Sequence, residues 1–262
     1  MSYWSGYIIS AIIIWVLMTL VWLLSLKLKN TSIVDIFWGL GFVLVNWILF
    51  FVSSDQFILR IWIFNILVTI WGLRLSIHIF LRNKGKAEDF RYAAWRKQYG
   101  QKWWWFSYLQ TFLVQGVLLF LISAPIVHIQ SAQQGTQIGF LEILGIVIWA
   151  IGFFFEAFGD YQLEIFKRNP DNKGKLLNTG VWRFTRHPNY FGDAAQWWGF
   201  FLITIGTNLG ILTIFSPIIM TYLLVNVSGV AMLEKSLIEK KSGYKEYMRT
   251  TNTFIPWFPN HK

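Results

Sequence analysis

The stretch Ile33–Val52, IVDIFWGLGFVLVNWILFFV, decides the fold class of this chain. Twenty residues with a single ionisable side chain, Asp35, form a helix long enough to cross a hydrocarbon core about 30 Å thick. The whole chain has the same character, since its 262 residues are 55% hydrophobic and 14% charged, with a mean hydropathy of +0.46. These values exclude an ordinary soluble globular protein and predict an all-α polytopic membrane protein.

Six further apolar runs lie on either side of this stretch and are separated from it by polar breaks. With Ile33 to Val52, the predicted spans are Tyr3 to Leu26, Phe57 to Leu81, Tyr108 to Ile129, Ile138 to Phe158, Phe191 to Ile205 and Leu209 to Leu233. The last two are predicted to form a helical hairpin. No internal repeat or flexible linker interrupts the chain, so residues 1–262 are predicted to form a single membrane-embedded domain.

The positions of the basic residues predict the topology. All of the 23 Lys and Arg residues except Arg60 and Arg74 follow the first, third, fifth or seventh span. Because cytoplasmic loops are enriched in Lys and Arg, the N-terminus is predicted to lie outside and the C-terminus in the cytoplasm. Seven transmembrane helices satisfy this arrangement.

The net charge of +10 and the pI near 9.8 are thereby explained as a topology signal. No nucleic-acid partner is predicted, and membrane lipids are the expected surroundings. The chain has no cysteine, which excludes a disulfide framework, a thiol nucleophile and a thiolate metal site. No metal site is predicted.

Several ionisable residues lie at the cytoplasmic ends of the predicted spans. Such groups are costly in lipid and require a partner or a role. Two interpretations remain open: mutual ion pairing at helix ends, or a polar cavity that opens to the cytoplasm. The residues concerned are Asp35, Arg74, His78, Arg82, Glu156 and Asp160.

The segment after the third span combines groups suited to proton chemistry. Glu88, Arg91 and Tyr92 have helical i, i+3, i+4 spacing and are predicted to line one side of a short interfacial helix. A carboxylate, a guanidinium and a phenol together can polarise a carbonyl or relay a proton. The alternative is a solvated loop that contains salt bridges.

The segment between the fifth and sixth spans combines basic residues with glycines and leads into a helix that begins near Pro188. Fixed cations, close backbone approach and a helix N-terminus suit a phosphate-bearing cofactor, although a cytoplasmic loop needs no function to be basic. No GxGxxG or Walker pattern is present. The basic residues are Lys167, Arg168, Lys173, Lys175, Arg183 and Arg186.

The sequence RHPNYFGD at Arg186–Asp193 resembles the steroid 5-alpha-reductase-like membrane proteins, in particular their bacterial-type branch, the DUF1295 family. The resemblance covers most of the chain, because further motifs follow in order. They are Asp35–Gly39, Trp71–Leu75, Glu88–Tyr92, Gly159–Gln162, Leu233–Lys235 with Gly243–Tyr244, and Phe254–Trp257.

This resemblance implies a seven-helix reductase of a bacterial inner membrane that binds NADPH from the cytoplasmic side. The substrate implied is a lipid or sterol-like molecule with a carbon–carbon double bond conjugated to a ketone, and the cofactor site falls mainly in residues 139–262. The implied cofactor contacts are Arg74, Arg82, Glu156, Asp160, Lys167, Lys175, Arg186, His187, Asn189, Tyr190 and Asp193.

One departure from the family concerns the substrate ketone. Trp71 stands where steroid reductases have a tyrosine that binds this ketone, so a steroid substrate is not implied directly. Tyr92 or His78 is predicted to replace that tyrosine as hydrogen-bond donor, with Asp35 or Glu88 as its acidic partner.

Two other functions compete with the reductase. The Arg-His-Pro-x-Tyr element also resembles S-adenosylmethionine-dependent methyltransferases of the isoprenylcysteine type, in which Glu234, Tyr244 and Tyr247 would fit but Lys235 would not. S-adenosylmethionine carries no phosphate, so the basic segment favours the dinucleotide. A transporter is disfavoured because the polar groups gather at one end of the spans and the halves do not repeat.

Overall fold

The structure is a computed structural model that describes residues 1–53, 58–132, 137–227, 229–230, 233–234, 237–238, 241 and 243–259. Within these residues the regular elements are all helices and no strand occurs, so the prediction of an all-α protein is confirmed for them. The chain forms two compact units: unit 1 comprises Met1–Ile138 with Thr207–Thr213, and unit 2 comprises Gly139–Gly206 with Ile214–Lys262. The single domain stays a prediction.

Unit 1 contains three long apolar helices followed by a chain of shorter ones. The long helices are α1 (Tyr3–Leu28), α2 (Ile33–Val52) and α3 (Leu59–Asn83). The shorter ones are α4 (Phe90–Tyr99), a 3₁₀ turn (Gly100–Lys102), α5 (Trp103–Ser107), a π-helical turn (Tyr108–Leu113), α6 (Val114–Ile122) and α7 (Ala124–Ser131).

Unit 2 is built on two paired helices, α8 (Phe140–Arg168) and α9 (Pro188–Ile205). Two 3₁₀ turns, Pro170–Asn172 and Gly180–Arg183, lie between them. A 3₁₀ turn at Gly210–Ile214, whose first four residues belong to unit 1, precedes α10 (Phe215–Tyr222), and α10 continues as a π-helical turn at Leu223–Val227. A short helix, α11 (Tyr244–Thr250), lies near the end of the described chain.

Six helical segments among the described residues are long and apolar enough to cross a membrane. They are Tyr3–Leu28, Ile33–Val52, Leu59–Asn83, Phe90–Ile122, Phe140–Arg168 and Gly210–Val227. Helix α9 has comparable length, but Asn189, Asp193 and Gln196 make its first half polar. The membrane crossing of α9, predicted as the sixth of seven spans, and the orientation of the termini therefore stay predictions.

Most predicted spans change their bounds in the structure, and the fourth and fifth show the clearest physical reasons. The fourth, predicted at Tyr108 to Ile129, begins earlier and is interrupted at Ser123, because Pro125 in the first turn of α7 provides no backbone N–H. The fifth continues ten residues beyond Phe158 to Arg168. Phe57, the predicted start of the third span, and Lys235 lie outside the described residues.

Helix α1 shows how unit 1 meets its surroundings. Its inward side carries small residues such as Gly6 and Ser10, whereas Ile12 and Trp15 are exposed. Large apolar side chains on the outside and small ones between helices are typical of proteins in lipid, where packing rather than water exclusion brings helices together. The exposure pattern therefore agrees with the composition in indicating an integral membrane protein.

Glycines bring helices close together in both units. In unit 1 a Cβ on Gly72 would lie 2.7 Å from the carbonyl oxygen of Gly39, so α2 and α3 cross at these two residues. In unit 2 a Cβ on Gly152 would lie 2.6 Å from the carbonyl oxygen of Gly192, and Gly145 meets Gly199 one heptad away. Both crossings depend on the absence of side chains, as in small-residue packing of membrane helices.

Candidate functional site

Tyr92 and Asp35 form a hydrogen-bonded pair inside unit 1. Asp35 lies in the first turn of α2, and Tyr92 lies in the first turn of α4 with its ring buried. The phenol donates to Asp35 Oδ1 at 2.8 Å, and Gln115 Nε2 donates to the phenol oxygen at 3.1 Å. The phenol is therefore held from two sides, by an acceptor and by a donor.

Arg91 places positive charge beside this pair. Its Nη2 lies 3.5 Å from Asp35 Oδ2, and its Nε donates to Asp89 at 2.8 Å. Asp89 also caps α4 by accepting the backbone N–H of Arg91. Burial raises the pKa of Asp89, but the hydrogen bonds from Arg91 outweigh it, so this pKa lies below its ordinary value.

Glu88 holds the start of α4 against the turn between α1 and α2. One carboxylate oxygen accepts the backbone N–H of Thr31 at 2.6 Å, and both oxygens accept from Arg96 at 2.8 Å. Burial raises the pKa of Glu88, but the bonds from Arg96 and Thr31 outweigh it and lower this pKa. Glu88 precedes α4, so the predicted alignment of Glu88, Arg91 and Tyr92 along one helix side is wrong at its first residue.

The remaining predicted residues of unit 1 lie on the second half of α3. Arg74 and His78 are half-buried, and Arg82 is exposed. The Nε of Arg82 donates to the side chain of Asn83 at 3.3 Å. Their predicted roles, a stand-in donor for His78 and cofactor contacts for Arg74 and Arg82, stay predictions.

Arg186 is buried in unit 2 and all of its guanidinium nitrogens have protein partners. Nε donates to Glu234 Oε1 at 2.8 Å, and Nη2 donates to Thr253 at 2.6 Å. Nη1 donates to the carbonyl oxygens of Met248 and Thr251. This arginine therefore joins the C-terminal segment to the start of α9, and its guanidinium is already engaged by the protein.

Glu234 is the centre of a polar cluster in unit 2. Its Oε1 lies 2.8 Å from Arg186 Nε, 3.3 Å from His187 Nε2 and 3.4 Å from the Tyr244 hydroxyl. Burial raises the pKa of Glu234, but the hydrogen bonds from His187 and Arg186 outweigh it and lower this pKa to about 2. Burial and the charge of Glu234 raise the pKa of Tyr244 to about 12.

The N-terminus of α9 brings two predicted cofactor residues together. Pro188 occupies the first turn, and no side chain caps it. Asn189 Nδ2 donates to Asp160 Oδ1 on α8 at 3.0 Å. One helical turn earlier on α8, Glu156 accepts from Gln196 at 2.7 Å.

The other predicted residues of unit 2 differ in exposure. His187 and Tyr190 stack with ring centroids 5.6 Å apart, and Asp193 is buried on α9. Lys167 and Lys175 are exposed, and the Lys175 carbonyl accepts from the Lys241 ammonium at 2.8 Å. Both lysines lie at the surface, whereas Arg186 is buried.

Three residues of these clusters were missed or given another part in the sequence analysis. Gln115 contacts Tyr92, Arg96 pairs with Glu88, and Glu234 had entered only within the Leu233–Lys235 motif and through the methyltransferase alternative. Gln115 could have been found, since an amide inside an apolar span calls for a partner.

Together these features define the class: a helical integral membrane protein with polar clusters at the start of α4 and at the start of α9. The chain matches the family described as "Protein of unknown function (DUF1295)" over residues 21–251, and it belongs to that family.

Two curated relatives match as well. Uncharacterized protein C594.04c of Schizosaccharomyces pombe is 24% identical over 96% of this chain and 80% of its own length. The probable O-methyltransferase ustE of Ustilaginoidea virens is 36% identical over 73 residues, which are 28% of this chain and 26% of that protein. No solved structure matches the chain.

Proposed function

We propose that this protein is a membrane oxidoreductase that uses NADPH to reduce a carbon–carbon double bond conjugated to a ketone in a lipid or sterol-like substrate. The observation that carries the proposal is the hydrogen bond of 2.8 Å between Tyr92 and Asp35, because it supplies a held O–H group next to a carboxylate. Such a group can stabilise negative charge that develops on a substrate oxygen. When bound, NADPH supplies the hydride.

The residues of unit 2 are suited to the parts of a dinucleotide. Lys167 and Lys175 are exposed cations for the phosphates. The uncapped first turn of α9 adds the positive end of a helix dipole. Asp160 and Glu156 suit hydroxyl and amide donors rather than phosphate, because carboxylates accept hydrogen bonds.

Arg186 and His187 stabilise the start of α9 and are not assigned to direct contact with the cofactor. Both contact Glu234, and the backbone N–H of Arg186 donates to the Asn252 carbonyl at 2.9 Å. We assign Arg186 to the orientation of the first turn of α9, which carries Asn189 and Tyr190, since its own nitrogens are engaged by the protein.

The residues of unit 1 perform the proton part of the reaction. Tyr92 donates its phenol proton to the enolate oxygen formed by hydride transfer and regains a proton from water, while Gln115 holds the phenol oxygen. Asp35 accepts the phenol hydrogen between reactions, and Arg91 offsets its negative charge. Glu88 fixes α4 through Arg96, and His78 is the alternative donor.

In the membrane we propose that α9 is the predicted sixth of seven spans, with the N-terminus outside, the C-terminus cytoplasmic and the cofactor residues at the cytoplasmic face. The distribution of Lys and Arg supports this orientation, as does the polar first half of α9 beside the basic segment. The proposed location is a bacterial inner membrane.

The test is a binding titration of the detergent-purified full chain with NADPH, NADH and S-adenosylmethionine. A ligand that binds the folded state raises its stability by about 2.7 kcal/mol at a hundredfold excess over its Kd. We expect NADPH to raise the melting temperature, and Lys175→Ala and Asn189→Ala to reduce that rise. A chain that is not stabilised by NADPH contradicts the proposal.

Arg168→Ala is the matched control for these variants. Arg168 is an exposed basic residue of the same segment, but its guanidinium is paired with Glu164 at 2.5 Å. The control should bind NADPH as the native chain does. An equal loss in Arg168→Ala and Lys175→Ala would indicate unspecific attraction to a basic surface instead of a cofactor site.

A membrane methyltransferase that uses S-adenosylmethionine is the second candidate. The partial match to a probable O-methyltransferase supports it, and so does the bond of 3.4 Å between Tyr244 and Glu234. Stabilisation by S-adenosylmethionine alone would favour this candidate over the reductase.

A further inference from the structure

Three amide side chains meet in the interior of unit 1. Gln130 on α7 donates through Nε2 to Asn65 Oδ1 on α3 at 2.6 Å and to Asn46 Oδ1 on α2 at 3.3 Å. Asn46 and Asn65 are fully buried, and Gln130 is 2% exposed. We call these three residues the amide cluster.

One atom of each amide in the cluster is left without a partner. Among the described residues, no group accepts from Asn46 Nδ2 or Asn65 Nδ2, and none donates to Gln130 Oε1. Two donors and one acceptor thus stay unpaired in a buried place. An unpaired buried polar group costs far more than a paired one, so this pattern points to a missing partner.

The depth of the amide cluster in the membrane spans strengthens the need for a hydrogen-bond partner. Asn46 lies six residues before the end of α2 at Val52, and Asn65 lies six residues after the start of α3 at Leu59. Six residues of helix span roughly 9 Å, which places both amides well inside the apolar spans. Polar groups at such depth are expensive and often mark a binding site.

We propose that the amide cluster binds one hydroxyl group within the membrane. A hydroxyl oxygen has two lone pairs and one hydrogen, so it can accept from Asn46 and Asn65 while it donates to Gln130 Oε1. A lone carbonyl cannot donate to Gln130, and an ammonium cannot accept from the asparagines. The hydroxyl belongs to a lipid alcohol or to a single water molecule, which share this chemistry. The site is independent of the proposed reductase activity.

The decisive experiment is a crystal structure of the full chain grown in a lipidic mesophase, at a resolution that shows ordered water. We expect density within hydrogen-bonding distance of Asn46 Nδ2, Asn65 Nδ2 and Gln130 Oε1. Density that continues into an apolar tail identifies a lipid alcohol, and an isolated peak identifies water. Rotated amides that satisfy one another, or an empty space between them, overturn the proposal.

A second measurement distinguishes the two sources in solution. Oleyl alcohol and oleyl methyl ether are added to the detergent-purified chain, because the ether has no hydrogen to donate to Gln130. A lipid alcohol site predicts that the alcohol raises the melting temperature by roughly 3 °C and the ether does not. A water site predicts no shift with either probe, together with the isolated peak in the crystal.

Variants show whether a shift arises at the cluster. Asn46→Leu/Asn65→Leu/Gln130→Leu should abolish the response to oleyl alcohol. Thr19→Val is the control, since it removes a hydroxyl of unit 1 that already donates to the Trp15 carbonyl at 2.8 Å. If oleyl alcohol still raises the melting temperature of the triple variant, the alcohol binds elsewhere. That result, together with a crystal structure that shows no density at the amide cluster, overturns the proposal. The crystal structure decides the matter if the triple variant does not fold.

Discussion

Arg186 donates its guanidinium Nε to Glu234 Oε1 at 2.8 Å, and this ion pair links residues that are 48 positions apart in the sequence. The arginine side chain is 5% exposed and that of Glu234 is 16% exposed. Because the same guanidinium also binds the Thr251 carbonyl and Thr253, the pair is the point at which the C-terminal segment is attached to the start of α9. Its loss should therefore affect the folded state of unit 2 before it affects any chemistry.

Glu234→Gln is expected to destabilise the protein by roughly 3 kcal/mol, because a buried arginine loses its counter-charge. The measurement is the melting temperature of the purified chain at neutral pH. Glu246→Gln is the control, since Glu246 pairs with Arg249 on the exposed surface at 3.3 Å and should cost little. Similar losses in both variants would mean that Glu234 has no special part in joining the segment.

In the native chain, acid should remove the stabilisation that ionised Glu234 provides through its pairing with Arg186. The pKa of Glu234 is about 2 in the folded protein, against an ordinary value of 4.5. A lowered folded pKa means that the contribution is fully present above pH 4.5 and is lost as the pH falls toward 2. The melting temperature should thus fall more steeply with acid in the native chain than in Glu234→Gln. Parallel curves would show that Glu234 is not linked to this transition.

Tyr92→Phe tests the proposed proton donor, because it removes the hydroxyl and leaves the ring in place. Cholest-4-en-3-one serves as a conjugated lipid ketone, and loss of NADPH absorbance reports turnover. If the native chain reduces this ketone, kcat in the variant should fall about 100-fold while the Kd for NADPH is unchanged. His78→Ala is made in parallel, and full turnover in Tyr92→Phe would transfer the donor role to another group such as His78.

Gln115→Leu tests a positioning residue. The amide of Gln115 donates to the Tyr92 oxygen at 3.1 Å, and leucine removes that bond but keeps an apolar side chain in the span. We expect turnover to fall about fivefold, which corresponds to one hydrogen bond of about 1 kcal/mol. Gln115→Glu, with an acceptor in place of the donor, should lower turnover further and change its pH profile. Unchanged profiles in both variants would assign Gln115 to packing alone.

The spans could be predicted because the required signal is local. The length of an apolar run of about twenty residues predicts the length of the helix. Ile33–Val52 has the same bounds in the prediction and in the structure. The break at Ser123 follows from Pro125, which was not used in predicting the span. The extension of α8 to Arg168 was missed for another reason. A helix continues past the apolar run when its polar turns find partners, and hydropathy does not report those partners.

The clusters were harder to predict because they depend on how helices are rotated. Asp35 and Tyr92 are 57 residues apart, and the sequence left His78 and Glu88 as alternatives to them. The engagement of Arg186 by Glu234, Thr251 and Thr253 could not be inferred, since it requires the C-terminal segment to return to the start of α9. A basic residue in a cytoplasmic loop has the same appearance in the sequence whether it is exposed or buried.

The role of Gly192 likewise depends on which side of α9 faces α8, and the sequence does not show this. In the sequence Gly192 follows the basic segment, where a glycine permits close backbone approach to a phosphate. In the structure its Cα faces α8, where an added Cβ would meet the backbone of Glu156 and Gly152. Gly192→Ala is therefore expected to lower the melting temperature, with a cost of about 1–3 kcal/mol from overpacking, although alanine favours a helix over glycine by about 1 kcal/mol.

The matched control is Gly116→Ala on α6, another helical glycine. Its nearest neighbour would be the flexible Met18 side chain at 3.3 Å, which can move aside, so alanine should cost little or stabilise the protein. Gly152→Ala should resemble Gly192→Ala, because each glycine lies opposite the other's backbone. If Gly192→Ala retained its melting temperature but lost NADPH binding, the glycine would serve the cofactor, whereas loss of stability in both crossing variants indicates that it serves the contact between α8 and α9.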